Sequence, residues 1–304
     1  MKVSVIIATY NGRHKLPALI DSLENQSVKE FECIVVIDGS EDDSEAWLKM
    51  QSQRFHSLEI FSQQNKGRSG ARNAGARLAT GDLLVFYDDD MQPAPDSIER
   101  HVKIHLENKS DVLVSGNQVE YHSGDKTDIQ NYKAWLVDRW ILKYRTPLTK
   151  LDFSNLFFTA ANCSFRKSTW IALKGFDQTL TDAEDFDLAW RALETGIGVW
   201  FDKQNIAIHN DPITCVSYIH RLRQYNQANK LLAERYTHPS KNTLREKSFL
   251  KQIVYRGLAM RSLPKLIDSG KIFRILPRSL RYKIYTLIIH SLAVEYSEIS
   301  LGKN

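Results

Sequence analysis

Residues 82–90 read DLLVFYDDD, a short apolar run that ends in three consecutive aspartates. An unbroken apolar run of this length is typical of a parallel β-strand that is covered on both faces. The same pattern occurs upstream, in VSVIIA at residues 3–8 and FECIVVI at residues 31–37, with helical periodicity between the runs. This alternation, about four times in the first 115 residues, predicts an α/β fold with a doubly wound, mostly parallel sheet.

Polar residues follow three of the predicted strands directly: Thr9-Tyr10-Asn11, Asp38-Gly39-Ser40 and Asp88-Asp89-Asp90. In doubly wound sheets, ligands bind beyond the carboxyl ends of the strands. We therefore expect the three clusters to meet along one edge of the sheet.

The alternation of predicted strands and helices ends after residue 120. Residues 121–150 look like an insertion or a lid, and residues 156–165 return to strand character. Two short strands follow at residues 197–201 and 206–209, and the pattern beyond Pro212 is helical. We expect a catalytic domain at residues 1–212 and a helical extension at residues 213–304.

Composition narrows the class of protein. The 304 residues are 42% hydrophobic and 25% charged, which predicts a sizeable core, and three distant cysteines exclude a disulfide framework. No apolar run reaches the roughly 18 residues that span a bilayer, and the N-terminal run reads as a strand rather than a signal peptide. These features predict an intracellular, cytoplasmic protein.

Charge is unevenly distributed. Residues 213–304 carry 17 Lys and Arg against 5 Asp and Glu, a net +12, so residues 1–212 carry −7. Apolar residues are interleaved with the basic ones near the C-terminus, and such a helix can lie on an anionic membrane surface. A helix packed on the catalytic domain is the slightly favoured alternative. No nucleic-acid-binding motif is recognisable.

The residues at the strand ends have possible catalytic or ligand-binding roles, and each also has a structural alternative. Asp88–Asp90 can relieve their mutual repulsion by binding Mg²⁺ or Mn²⁺, or can form a solvated acidic loop. Asp38 in a turn is more often a cap than a nucleotide ligand. Glu184-Asp185 can begin a helix or supply a general base, and His209 can be structural or a metal ligand.

Five segments, in order, resemble the family-two glycosyltransferases of the GT-A fold. One segment alone is weak evidence, whereas five in order with family-like spacing are specific. The segments cover residues 2–210 and read VSVIIATYNG with LPALIDSLENQ, IVVIDGSEDDS, NKGRSGARNAGARLATGDLLVFYDDD, ANCSFRKSTWIALKGFD and AEDFDLAWRA.

The resemblance implies roles for individual residues. Asp185 would be the catalytic base, with Glu184 and Asn162 on the acceptor side. Asp90 would be the main metal ligand, with Asp88 facing the ribose or the metal and His209 as a further metal ligand. The remaining residues would bind the donor nucleotide-sugar: Thr9, Tyr10, Asp38, Arg72, Asp88 and Asp89.

The implied activity is inverting transfer of a sugar from a nucleoside-diphosphate donor, UDP above all, in surface polysaccharide synthesis. The enzyme would be a hexosyl- or N-acetylhexosaminyltransferase with a divalent metal, acting on a saccharide or a lipid-linked saccharide. Contact with the inner membrane face through the basic helices stays open. A sugar nucleotidyltransferase is an alternative, although residues 9–13 match its glycine-rich loop poorly. A non-catalytic nucleotide- or glycan-binding module is another.

Overall fold

The computed structural model describes residues 1–121, 126–210, 212–236, 249–270 and 273–301. Nine strands form one sheet in the order β3-β2-β1-β4-β8-β6-β9-β5, with β7 paired to β9. The strands are β1 (Val3–Thr9), β2 (Glu32–Asp38), β3 (Ser57–Gln63), β4 (Leu83–Asp88), β5 (Met91–Pro93), β6 (Val112–Glu120), β7 (Leu148–Leu151), β8 (Asn162–Arg166) and β9 (Gly198–His209).

The α-helices of the described residues alternate with the strands in the first part of the chain and follow one another in the last part. They are α1 (Leu16–Glu24), α2 (Ser44–Met50), α3 (Gly67–Leu78), α4 (Ser97–Glu107), α5 (Asp128–Ile141), α6 (Lys167–Ala172), α7 (Glu184–Glu194), α8 (Cys215–Arg235), α9 (Phe249–Leu258), α10 (Ser262–Ser269) and α11 (Arg278–His290).

The predicted sheet class is confirmed. Strands β3, β2, β1 and β4 are parallel neighbours, whereas β8 runs antiparallel to both β4 and β6. Alternate residues of β1 pack into separate cores, with Ile6 on one face and Val5 and Ile7 on the other. Burial on both faces is the reason that these strands read as continuous apolar runs.

Two strands differ from the sequence prediction. Residues 197–201 and 206–209 belong to the single strand β9, because residues 203–205 bulge where the β6 pairing moves from Gly116–Asp202 to Asn117–Ile206. The polar bulge looks like a loop in the sequence. Of the stretch 156–165, only residues from Asn162 onward are strand.

The chain divides into two compact units, residues 1–121 with 140–210, and residues 122–139 with 211–304. The sequence pattern predicted an unbroken first domain to residue 212, but the described residues of α5 up to Arg139 belong to the second unit. The reason is that Ile129 and Tyr132 are buried in a cluster with Tyr282 and Tyr285 of α11. Within the described residues, no helix is long and apolar enough to cross a membrane.

Candidate active site

The carboxyl ends of β1, β2 and β4 bring the predicted clusters to one sheet edge. In the parallel registers, Thr9 lies opposite Ile37, and Ala8 lies opposite Asp88. The turn after β1 is tied to the turn after β2, since Ser40 Oγ accepts from the Asn11 backbone N–H over 2.9 Å. The three polar turns therefore border one common region of the first unit.

Thr9 and Gly12 shape the floor beneath the aspartates. The Thr9 hydroxyl donates to Asp89 Oδ2 over 2.7 Å, and both side chains are buried. A Cβ on Gly12 would overlap Thr9 Oγ1 and lie 2.5 Å from Asp89 Oδ2, so this close approach requires glycine. Tyr10, in contrast, is 53% exposed at the rim, where its ring is available to a ligand.

Asp38 joins the end of β2 to the loop before α3. Its Oδ1 accepts from Gln63 Nε2 over 2.7 Å and from the Lys66 backbone N–H over 2.9 Å, and the residue is buried. Gly39 follows at φ +77°, where an added Cβ would approach the Asn65 backbone nitrogen to 2.8 Å. Asp38 thus holds the two loops against each other, which is compatible with a nucleotide-binding wall and with a purely structural turn.

Arg72 on α3 is a buried cation shared by two predicted site residues. Its guanidinium donates to Asp88 Oδ1 over 2.6 Å and to Glu184 Oε1, while the side chain is only 5% exposed. Burial alone would lower the pKa of Arg72, but the charges of Asp88 and Glu184 outweigh it and hold the pKa above its usual value. Arg72 therefore stays charged and connects β4 to the start of α7.

Asp89 and Asp90 share the ammonium group of Lys15, at 3.5 Å and 3.4 Å. Burial raises the pKa of Asp89 to about 6, against the opposing effects of Lys15 and the Thr9 hydrogen bond. For Asp90, burial is outweighed by His209 and Lys15, so its pKa lies below the usual value. Asp90 is consequently an ionised carboxylate at neutral pH.

His209 closes this side of the site. Its Nε2 lies 3.5 Å from Asp90 Oδ2, and its Nδ1 lies 3.0 Å and 3.1 Å from the two carboxylate oxygens of Glu120. A carboxylate oxygen is a ligand for both Mn²⁺ and Mg²⁺, an imidazole nitrogen suits a transition metal such as Mn²⁺, and a diphosphate can supply further oxygens. Asp90 and His209 therefore fit a divalent metal, whereas Asp88 turns to Arg72. Within the described ranges, no three His, Cys, Asp or Glu side chains are already gathered as a metal cluster.

Asp185 lies in the first turn of α7, after Ala183 in the left-handed conformation at φ +59°. Its Oδ2 accepts from the Ala160 backbone N–H over 3.1 Å, and its Oδ1 accepts from the Phe186 N–H over 2.7 Å. Burial, followed by the charge of Glu184, raises the pKa of Asp185 to about 7, although Arg72 opposes the rise. A partly exposed carboxylate with this pKa can accept a proton at physiological pH.

Two residues predicted to face the acceptor point elsewhere. Asn162 is fully buried in β8, where its Oδ1 lies 2.9 Å from His101 Nε2 and its amide donates to the Asn205 carbonyl over 3.0 Å. Glu184 is 3% exposed and faces Arg72. In this structure, Asn162 is therefore a core residue, and Glu184 acts on the site through charge.

Asn162 belongs to a buried polar network beneath the sheet. His101 and His105 of α4 share the Ser164 hydroxyl, at 2.8 Å and 2.9 Å. Burial lowers the pKa of His101 to about 4 and that of His105 to about 3. Both imidazoles are therefore neutral at physiological pH, and the network supports the site without entering it.

Sequence reasoning missed Lys15 and Glu120. Lys15 precedes α1 and resembles any surface lysine in the sequence. Glu120 is the last residue of β6, so the strand-end rule that selected Asp38 and Asp88 would have selected it as well, had the sequence pattern shown that a strand ends at residue 120.

Comparison with known proteins now identifies the family. Residues 4–171 match the sequence profile described as Glycosyl transferase family 2, which is more than half of the chain. The chain belongs to glycosyltransferase family 2. The uncharacterized glycosyltransferase YfnE of Bacillus subtilis is 38% identical over an alignment that covers 71% of this chain and 67% of that protein. The O-antigen chain rhamnosyltransferase RfbN of Salmonella typhimurium is 23% identical, with 70% and 68% covered.

Solved structures show the fold. The mannosyltransferase PcManGT from Pyrobaculum calidifontis, in complex with GDP-Man and Mn²⁺, aligns with a TM-score of 0.63 at 19% identity over 98% of this chain and 88% of that chain. Staphylococcus aureus TarS with UDP aligns with a TM-score of 0.56 at 16% identity over 98% and 92%. The sequence-based predictions of the family and of the GT-A fold are confirmed. The curated relatives YfnE and RfbN are aligned over about two thirds of their own length.

Proposed function

We propose that this family-two glycosyltransferase transfers a hexosyl or N-acetylhexosaminyl group from a nucleoside-diphosphate donor, UDP above all, with inversion at the anomeric carbon. The observation that carries the proposal is Asp185, a partly exposed carboxylate whose pKa is raised to about 7 and which lies within the electrostatic influence of Arg72, the guanidinium paired with Asp88 and Glu184. TarS with UDP and PcManGT with GDP-Man give support, since both carry nucleotide ligands on this fold.

In the proposed mechanism, Asp185 removes the proton of the acceptor hydroxyl as that oxygen attacks the anomeric carbon. The attack comes from the face opposite the departing diphosphate, so the configuration inverts in one displacement. Arg72 carries a fixed positive charge on the donor side and stabilises the charge that develops on the diphosphate. A divalent ion, Mn²⁺ or Mg²⁺, held by Asp90 and His209 would supply further neutralisation of that charge.

Donor recognition falls to the turns after β1 and β2 in this proposal. Asp38, with Thr9 and Tyr10 beside it, would bind the nucleoside, and Asp88 and Asp89 would line the path to the diphosphate. The acceptor would be a hydroxyl of a saccharide or a lipid-linked saccharide in surface polysaccharide synthesis at the cytoplasmic side of the membrane. The O-antigen rhamnosyltransferase among the relatives supports this substrate class.

A ligand screen followed by a turnover assay tests the proposal. We expect UDP or a UDP-sugar with Mn²⁺ to stabilise the protein by about 2.7 kcal/mol at a hundredfold excess over the dissociation constant. Asp90→Ala should abolish the Mn²⁺-dependent part of this stabilisation, and Asp185→Asn should retain binding but lose sugar transfer. Stabilisation without turnover in the wild type would favour a non-catalytic binding module, and no stabilisation by any nucleoside diphosphate would refute the proposal.

We also propose that the second unit contacts an anionic bilayer. Ile275 is 84% exposed, and the basic residues Arg274 and Arg278 lie close to it in the sequence. We expect Ile275→Glu to reduce pelleting with vesicles that contain phosphatidylglycerol. Met50→Glu is the matched control, because Met50 is also strongly exposed, at 72%, but lies in the first unit. Equal pelleting of the wild type and Ile275→Glu would contradict membrane contact at this surface.

A further inference from the structure

The end of β9 lies between two carboxylates that come from different parts of the chain. His209 pairs in register with Glu120 of β6 on one side and with Met91 of β5 on the other. The backbone around the ring is fixed on both sides, since the Tyr121 N–H donates to the His209 carbonyl and the Asn210 N–H donates to the Asp90 carbonyl, each over 3.3 Å. The imidazole is therefore attached to a rigid sheet edge.

The Glu120 carboxylate is paired with one nitrogen of that imidazole. Both carboxylate oxygens of Glu120 lie within hydrogen-bond distance of His209 Nδ1, at 3.0 Å and 3.1 Å, and the Glu120 side chain is only 10% exposed. In a neutral imidazole, one nitrogen carries the proton and the other carries a lone pair. Since a carboxylate can only accept, Glu120 requires the proton on Nδ1. Asp90 faces Nε2 at the longer distance of 3.5 Å, and a divalent ion bound there would take the Nε2 lone pair in place of a proton.

We propose that Glu120 is a positioning residue that holds His209 in the Nδ1–H tautomer, with the Nε2 lone pair directed to the divalent-metal position beside Asp90. This inference rests on the metal site of the proposed function and adds a residue to it. Glu120 does not touch metal or donor. It acts through the orientation and basicity of the histidine, as carboxylate partners of ligating histidines do.

A purely structural ion pair is the competing explanation for Glu120. If Glu120 served only to stabilise the sheet edge through its pair with His209, its replacement would lower the free energy of unfolding but leave the Mn²⁺ affinity of the folded protein unchanged. The two explanations thus differ in quantities that can be measured on the folded protein without any activity assay.

The first measurement is Mn²⁺ affinity of the full chain, with UDP present, from the electron paramagnetic resonance signal of free Mn²⁺. We expect Glu120→Ala to weaken binding about 10- to 100-fold, as loss of such a partner typically does. Glu120→Gln should recover part of the affinity, because its carbonyl oxygen can still accept from Nδ1–H. Glu107→Ala, which removes an exposed carboxylate from α4, is the control and should leave the affinity unchanged.

The second measurement is the tautomer of His209 from ¹⁵N–¹H correlations of the ring, without metal and at a pH where the ¹⁵N shifts show a neutral ring. His209→Gln identifies the signal. We expect Nδ1–H in the wild type and Nε2–H in Glu120→Ala. Nε2–H in the wild type would overturn the inference even if the alanine variant failed to fold, and unchanged Mn²⁺ affinity in a folded Glu120→Ala would overturn it as well.

The two proposals fail in distinguishable ways. Absence of Mn²⁺ binding by the wild type would remove the metal from the proposed function. Binding by the wild type that is equally tight in Glu120→Ala would refute only the positioning role of Glu120.

Discussion

Replacing Asp185 by asparagine should abolish sugar transfer. As the pH becomes alkaline, the free energy of unfolding of the variant should also rise relative to that of the wild type. Burial and the charge of Glu184 raise the Asp185 pKa from an ordinary value of 3.8 to about 7. An acid whose pKa is higher in the folded than in the unfolded state contributes its full stabilisation of the folded protein below pH ~4. That contribution is lost as the pH rises to ~7. The asparagine amide does not titrate, so the variant escapes this loss.

The size of the effect follows from the same pKa difference. Each pH unit between the folded and unfolded pKa values is worth about 1.4 kcal/mol, so the difference in unfolding free energy between Asp185→Asn and wild type should rise by about 3 kcal/mol from pH 5 to pH 8.5. The slope with pH is the diagnostic quantity. A constant offset is expected as well, because the Phe186 N–H that now donates to Oδ1 can meet an amide nitrogen instead.

Urea unfolding of the metal-free protein at pH 5, 7 and 8.5 measures this difference. Glu107→Gln, on the exposed face of α4, controls for the loss of one negative charge. A difference between Asp185→Asn and wild type that stays flat over this range would refute the raised pKa, and with it the argument for Asp185 as the base. Retention of sugar transfer by the variant would refute its catalytic role directly.

Three further outcomes are expected. Gly12→Ala should destabilise the protein by about 1–3 kcal/mol and weaken nucleotide binding, since the methyl group displaces Thr9 or Asp89. Urea unfolding measures the stability, and a UDP titration measures the binding. UDP binding by the variant as tight as that of the wild type would contradict the proposed floor of the site. Glu184→Gln should lower the pKa of Asp185 and move the acidic limb of the pH–rate profile to lower pH. An acidic limb that stays at the same pH or moves to higher pH would exclude Glu184 as a source of the raised pKa. The two buried histidines of α4 should make the protein lose stability as pH falls from ~6.5 toward 4, because their pKa values are lower in the folded than in the unfolded state. In urea titrations, replacing both histidines by glutamine should reduce this loss of stability.

The sheet and the strand-end turns were predictable because their signals are local. A strand buried on both faces reads as an apolar run, and a polar residue directly after it must lie at the sheet edge. Thr9, Asp38 and Asp88 were found in this way. The bulge at residues 203–205 was not, because polar residues in the middle of a strand look like a loop unless the partner strand is known.

The side-chain partners within the site could not be predicted, since they depend on contacts between distant segments. Arg72 and Glu184 are 112 residues apart in the chain, and Glu120 and His209 are 89 apart. The family resemblance implied that Glu184 faces the acceptor, whereas in the folded chain it neutralises a buried guanidinium. The burial of Asn162 could not be predicted for a related reason, since it depends on α4 packing under β8.

The shared guanidinium of Arg72 has a consequence for the order in which substrates are used. Its positive charge holds the proton affinity of Asp185 down. A donor diphosphate that draws on the same cation would weaken this restraint, so the carboxylate becomes a stronger base when the activated sugar has arrived. Under the proposed mechanism, an arrangement of this kind favours ordered addition, with the donor entering before deprotonation of the incoming alcohol.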